Sequence, residues 1–78
     1  MYYVYILESE TGEHYYVGVT EDLRTRLVMH NAGHVSHTSK YLPWHVKTYI
    51  AFSDEKSAFA FEKYLKSPSG RAFSKEWL

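Results

Sequence analysis

From Tyr16 to Asn31 the chain reads YVGVTEDLRTRLVMHN, and this stretch limits the fold more than any other. An aromatic, β-branched segment closes on Gly18 and Val19, and a helical pattern begins almost at once. Thr20 suits an N-cap, with Glu21 and Asp22 in the first turn, where the helix dipole favours negative charge. Leu23 and Leu27 stand four apart and should face a sheet, with Val28 partly buried beside them. Arg26 and His30 are also four apart and share a neighbouring face. Asn31-Ala32-Gly33 ends the helix, with Gly33 as the C′ residue. A strand that feeds a helix so abruptly needs a partner strand before it and a supporting layer after it.

The partner is Tyr2 to Leu7, YYVYIL, with Tyr3, Tyr5 and Leu7 on one face and Val4 and Ile6 on the other. Glu8 to Glu13 turns the chain at Gly12, and His14 to Val19 returns as an antiparallel strand, since so short a link holds no crossover. Gly18 inside that strand marks a bend or a close approach of backbone to another group. His34 to Leu42 has no clean period and reads as a loop bounded by Pro43. Trp44 to Phe52 alternates as a third strand, with Trp44, Val46, Thr48, Ile50 and Phe52 on one side. Ser53 or Asp54 caps a second helix from about Glu55 to Ser67, with Ala58, Phe61 and Leu65 as its buried stripe. Pro68-Ser69-Gly70 breaks it, and Arg71 to Trp77 forms a short last helix anchored by Phe73 and Trp77. The expected fold is α/β (α+β), ordered ββαβαα: one domain over residues 1–78, with a three-stranded antiparallel sheet flanked by helices.

Size and composition narrow the chemistry. A chain of 78 residues has one core and buries about 60% of its unfolded surface. With no cysteine, disulfides, thiolate nucleophiles and Cys-ligated zinc are excluded. No stretch reaches membrane-span length, and the apolar start lacks a basic region and a cleavage site, so the expected location is cytoplasmic. Net charge is zero, but all nine acidic residues lie at or before Asp22 or at or after Asp54. The thirty residues between Arg24 and Ser53 hold Arg24, Arg26, Lys40, Lys47 and four of the five histidines. Such polarity fits a face presented to phosphate, though four charges over that length also fit ordinary solvated surface.

Several side chains suit chemistry, and each has an ordinary alternative. Tyr5 and Tyr16 come from adjacent strands with parity that allows one sheet face. A cation lowering one phenol's pKa from about 10 would let it take a proton from water; equally, both suit an amphipathic core. Arg26 offers a planar, always charged fork for phosphodiester oxygens, or is a solvated helix arginine. His30 can donate to phosphate or relay a proton, or is structural. Glu62 can ligate one Mg²⁺, or simply pair with Lys66 four residues on. Lys63 and Lys66 read as solvated. Zinc-site spacing, a Gly-rich phosphate loop and a Ser-His-Asp set are absent from the sequence.

YVY at Tyr3 to Tyr5, followed by YVG at Tyr16 to Gly18, resembles the paired elements of the GIY-YIG nuclease superfamily. The likeness runs on through EDLRTRLVMHNAG, PWHVKTYIAF and AFAFEKYLKSPSGRAF, so it covers essentially the whole chain. It is nearest to the small single-domain bacterial group related to the GIY-YIG nuclease domain of bacterial excinuclease. The resemblance implies a DNA endonuclease in repair or recombination, using Mg²⁺ with Mn²⁺ as a substitute. It also implies that Tyr5 or Tyr16 prepares the water, Arg26 contacts the scissile phosphate and Glu62 ligates the metal. His30 and Asn31 match a His-Asn pair of site architecture or proton transfer. Arg24, Asn31, Lys40 and Lys47 then become expected nucleic-acid contacts, and Gly18 a structural residue bringing Arg26 over Tyr16. Tyr3 replaces the glycine of the founding motif. Val19 stands where excinuclease domains carry a lysine, which removes one positive contact. With so little positive charge, DNA binding should be weak and salt-sensitive, and a partner protein or homodimer would supply targeting. The rival reading is a non-catalytic nucleic-acid-binding module that keeps the fold; a structural domain follows if the tyrosines lie away from Arg26.

Overall fold

A computed structural model describes residues 1–78. Its elements are β1 (Tyr2–Ser9), β2 (Tyr15–Thr20), α1 (Leu23–Asn31), β3 (Trp44–Phe52), α2 (Glu55–Leu65) and α3 (Pro68–Trp77). This is the expected ββαβαα order with a three-stranded antiparallel sheet. The strands run β2-β1-β3, which makes β1 the centre and leaves β2 and β3 as edges.

Central placement explains why β1 is apolar on both faces. Val4 and Ile6 pack with Ala58 and Leu65 beneath α2. Tyr5 and Leu7 pack with Trp44 on the opposite face, where Leu23 and Leu27 of α1 close over them. The helices therefore sandwich the sheet, and α3 lies against α2.

The third strand does not keep one set of side chains on one side. Its register against β1 slips between Ile6 and Leu7, pairing Ile6 with Thr48 but Leu7 with Val46. Lys47 is the extra residue, a β-bulge that switches the outward and inward sets. Trp44 and Val46 consequently join the Tyr5 face, whereas Phe52 joins the Val4 face. Alternation alone cannot register such a switch, because the bulge is a property of the pairing.

Helix ends follow local side-chain chemistry. Asp22, not Thr20, caps α1 by accepting from the Thr25 amide, and Asp54 caps α2 through Ser57. The ring of Pro68 begins α3 rather than a break, with Ser67 as its cap. Gly70 is obligatory there: an added Cβ would lie 1.7 Å from the Tyr64 carbonyl oxygen. Two apolar assignments fail. Val28 is exposed, since α1 turns only its Leu23–Leu27 edge to the sheet, and Trp77 is 72% exposed while Leu78 packs on the core in its place. No helix is long and apolar enough to cross a membrane.

Candidate functional site

Tyr5 organises the site from the centre of the sheet. It is paired with Gly18 across β1 and β2, and its phenol lies over that glycine. A Cβ at Gly18 would stand 2.5 Å from the Tyr5 hydroxyl oxygen and 3.0 Å from the Tyr16 ring. Gly18 therefore makes room for Tyr5 within the continuous strand β2. Close approach, the second meaning of a strand glycine, is the one realised.

The phenol is 1% exposed and lies 2.9 Å from Nε2 of His30, itself fully buried. On the other side of the ring, Nδ1 lies 2.7 Å from the Thr38 hydroxyl. That hydroxyl donates to the Val35 carbonyl at 3.3 Å, so it accepts from the imidazole. Nδ1 then carries the proton, and Nε2 accepts from the Tyr5 hydroxyl. One direction of donation runs through Tyr5, His30, Thr38 and the Val35 carbonyl. The Trp44 indole donates to the Thr38 carbonyl at 2.9 Å and fixes the loop that brings Thr38 inward. Thr38 is a site-supporting residue that periodicity could not reveal, because His34 to Leu42 carries none; alternation placed Trp44 in the third strand but not its bond to Thr38.

Burial raises the Tyr5 pKa above its ordinary value, and the Arg26 guanidinium beside it opposes that rise only in part. Tyr16 and Glu62 add to the rise, which places both within electrostatic reach of the phenol. Tyr5 is thus a protonated donor at neutral pH, the reverse of an arginine-activated phenolate. Burial, with a contribution from Arg26, lowers the His30 pKa and keeps the ring neutral. The Tyr16 ring completes the cluster, with centroid distances of 6.3 Å to Tyr5 and 4.9 Å to His30.

Arg26 is half-buried, forms no ion pair, and has a shielded Nε with no hydrogen-bond partner. Glu62 approaches from α2 and is held 2.5 Å from the Lys66 ammonium, the pairing that its helical spacing permits. Lys66 also lies 5.9 Å above the Tyr16 ring, so it is part of this cluster rather than merely solvated. Tyr5, Tyr16, Arg26, His30 and Glu62 are therefore brought together. No group of three His, Cys, Asp or Glu side chains gathers in a metal-binding arrangement. Glu62 alone offers hard oxygen donors to a divalent cation here.

The expected contact residues scatter. Asn31 clamps the Trp44 backbone, donating to its carbonyl at 2.9 Å and accepting from its amide at 2.6 Å. Arg24 shares a shallow depression with Glu21 and Asp22, and Lys40 is exposed in the loop. Lys47, at the β3 bulge and level with Leu7 and Tyr16, lies 5.0 Å from the Tyr15 ring.

Comparison with known proteins bears on the fold and the family. A model of the GIY-YIG catalytic domain matches residues 1–76. A UPF0213 protein of Streptococcus pneumoniae is 37% identical over 65 residues, 82% of this chain and 65% of that one. The chain thus spans about two thirds of that relative's length. A UPF0213 protein of Lacticaseibacillus paracasei is 35% identical over 66 residues, covering 83% of this chain and 73% of the relative. The solution NMR structure of a UPF0213 protein from Bacillus halodurans superposes with a TM-score of 0.57 at 31% identity, over 96% of this chain and 81% of that one. With the paired strand motifs, the sheet order and the family match in agreement, the chain belongs to the GIY-YIG family.

Proposed function

We propose that this domain binds the phosphodiester backbone of nucleic acid, DNA in the first instance, at the face formed by Tyr16, Arg26 and Glu62. Arg26 is the observation that carries the reading: a half-buried guanidinium beside the Tyr5 phenol that no carboxylate pairs. An anion with two oxygens completes such a fork, and a phosphodiester is such an anion. Affinity is weak because the chain carries no net charge, and it falls with salt in proportion to the phosphates contacted. Fluorescence anisotropy with labelled DNA at low salt tests this: Arg26→Ala should weaken binding about tenfold or more. Undiminished binding by that variant overturns the proposal.

Hydrolysis is the second reading, favoured by the cluster of Tyr5, Tyr16, Arg26 and His30 with Glu62 within electrostatic reach of the Tyr5 phenol. Glu62 would hold Mg²⁺ or Mn²⁺, which needs few carboxylates when phosphate oxygens complete its shell. Such a metal supplies Lewis-acid polarisation of the phosphate. From the chain's own residues, half-exposed Tyr16 orients the attacking water, and Arg26 stabilises charge developing on the phosphate. Tyr5 and His30 hold the ring of Tyr16 and the guanidinium in place. Binding ranks above hydrolysis because Lys66 already neutralises Glu62 and no further carboxylate joins it. Cleavage of supercoiled DNA in Mg²⁺ or Mn²⁺ decides between them. A nuclease loses about a hundredfold or more in both Arg26→Ala and Glu62→Ala; equal cleavage by wild type and both variants removes hydrolysis at this face.

A further inference from the structure

A groove of about 760 Å³ lies beside the site, between edge strand β2 and helix α3. Lys47, Lys66, Arg71 and Lys75 line it against one carboxylate, Glu13. Lys66 is paired with Glu62, which leaves Lys47, Arg71 and Lys75 against Glu13, three to one in a chain with nine basic and nine acidic residues. Lys66, Arg71 and Lys75 follow one another in an acid-free run from Lys63 to Lys75, and the fold brings Lys47 of β3 to join them. Tyr15 also lines the groove, 53% exposed, with the Lys47 ammonium 5.0 Å from its ring centroid. Tyr16 and Lys66 belong to both the groove and the site, so the two are continuous.

We propose that this groove holds a single-stranded polynucleotide leading to the Tyr16–Arg26–Glu62 face, with Arg71 and Lys75 on its phosphates and Tyr15 under a base. The proposal rests on the reading of that face as a phosphodiester site. Cationic grooves flanked by exposed aromatic rings hold unpaired strands, because every base offers a face for stacking and the backbone follows the charge. A duplex keeps its base faces inside and gives Tyr15 nothing to stack on.

Anisotropy with a labelled oligothymidylate of about twelve nucleotides, beside the matching duplex and over a salt series, tests the groove. Arg71 and Lys75 are exposed, so the Arg71→Ala/Lys75→Ala double variant should keep the fold. Losing two phosphate contacts should flatten the log–log salt dependence of single-strand binding by about 1.4, at about 0.7 per contact. Tyr15→Ala should weaken that binding about tenfold, and Tyr15→Phe should retain it. An unchanged salt slope in the double variant, with Arg26→Ala still impaired, overturns the groove and leaves the site reading standing. Duplex binding as tight as single-strand binding, and equally sensitive to the double variant, overturns the single-strand assignment. Lost binding in the double variant with no effect of Arg26→Ala supports the groove and removes the site reading.

Discussion

His30 is fully buried between the Tyr5 phenol and the Thr38 hydroxyl, and both of its ring nitrogens are engaged. An unfolded histidine titrates near pH 6.5; here burial, and then Arg26, pull the folded value lower. Between those two values the unfolded chain binds more protons, so stability rises with pH. The contribution of His30 is complete above about pH 6.5 and is lost as pH falls toward the folded value. Urea unfolding at about pH 7.5 and about pH 5 should show this loss, and His30→Gln should show less of it. Equal acid sensitivity in the two proteins would place its origin elsewhere. The window lies above the acid range where Glu8, Asp22 and Asp54, whose hydrogen bonds lower their pKa values, lose their stabilising charge. Spacing could place His30 one turn beyond Arg26, but not name its partners. Thr38 reaches it from a loop without period, and Tyr5 from a strand 25 residues away.

At the scale of elements, α1 is tied to β3 by the Asn31 side chain, which takes both the amide and the carbonyl of Trp44. That clamp sets the helix against the sheet end where Trp44 packs on Tyr5 and Leu7. Removing it leaves two backbone groups without partners, so Asn31→Ala should cost about 1–3 kcal/mol. Asn31→Asp keeps an acceptor for the Trp44 amide and loses the donor to its carbonyl, so it should fall between. Denaturant midpoints for the three proteins check that order; an aspartate as disruptive as alanine would contradict it. The sequence pairs Asn31 with His30 by adjacency, and the fold separates them by purpose: His30 faces the tyrosines and Asn31 the third strand. The Lys47 bulge has the same origin in pairing, since it moves half of β3 to the other face of the sheet.

Across the whole molecule, β1 is one strand shared by two cores. Ile6 faces α2, Leu7 faces Trp44, and both are almost completely buried. Truncating either to alanine should cost about 2–5 kcal/mol, a large part of the stability expected for a domain of this size. Because the central strand couples the two faces, unfolding followed by tryptophan fluorescence and by circular dichroism should coincide in both variants. Separate transitions would mean that the faces melt independently. The order of elements, the turn at the hairpin, the double-sided first strand and the spacing of Tyr5, Tyr16, Arg26 and Glu62 are all set by local pattern, and local pattern is what a sequence displays. The bulge, the buried Tyr5–His30–Thr38 line, the pairing of Lys66 with Glu62 beside Tyr16, and the basic groove depend on distances between segments far apart in the chain. Those distances exist only after the sheet closes: an acid-free middle segment proved a poor guide to where positive charge collects, because the groove takes Lys66, Arg71 and Lys75 from the C-terminal stretch and only Lys47 from the middle.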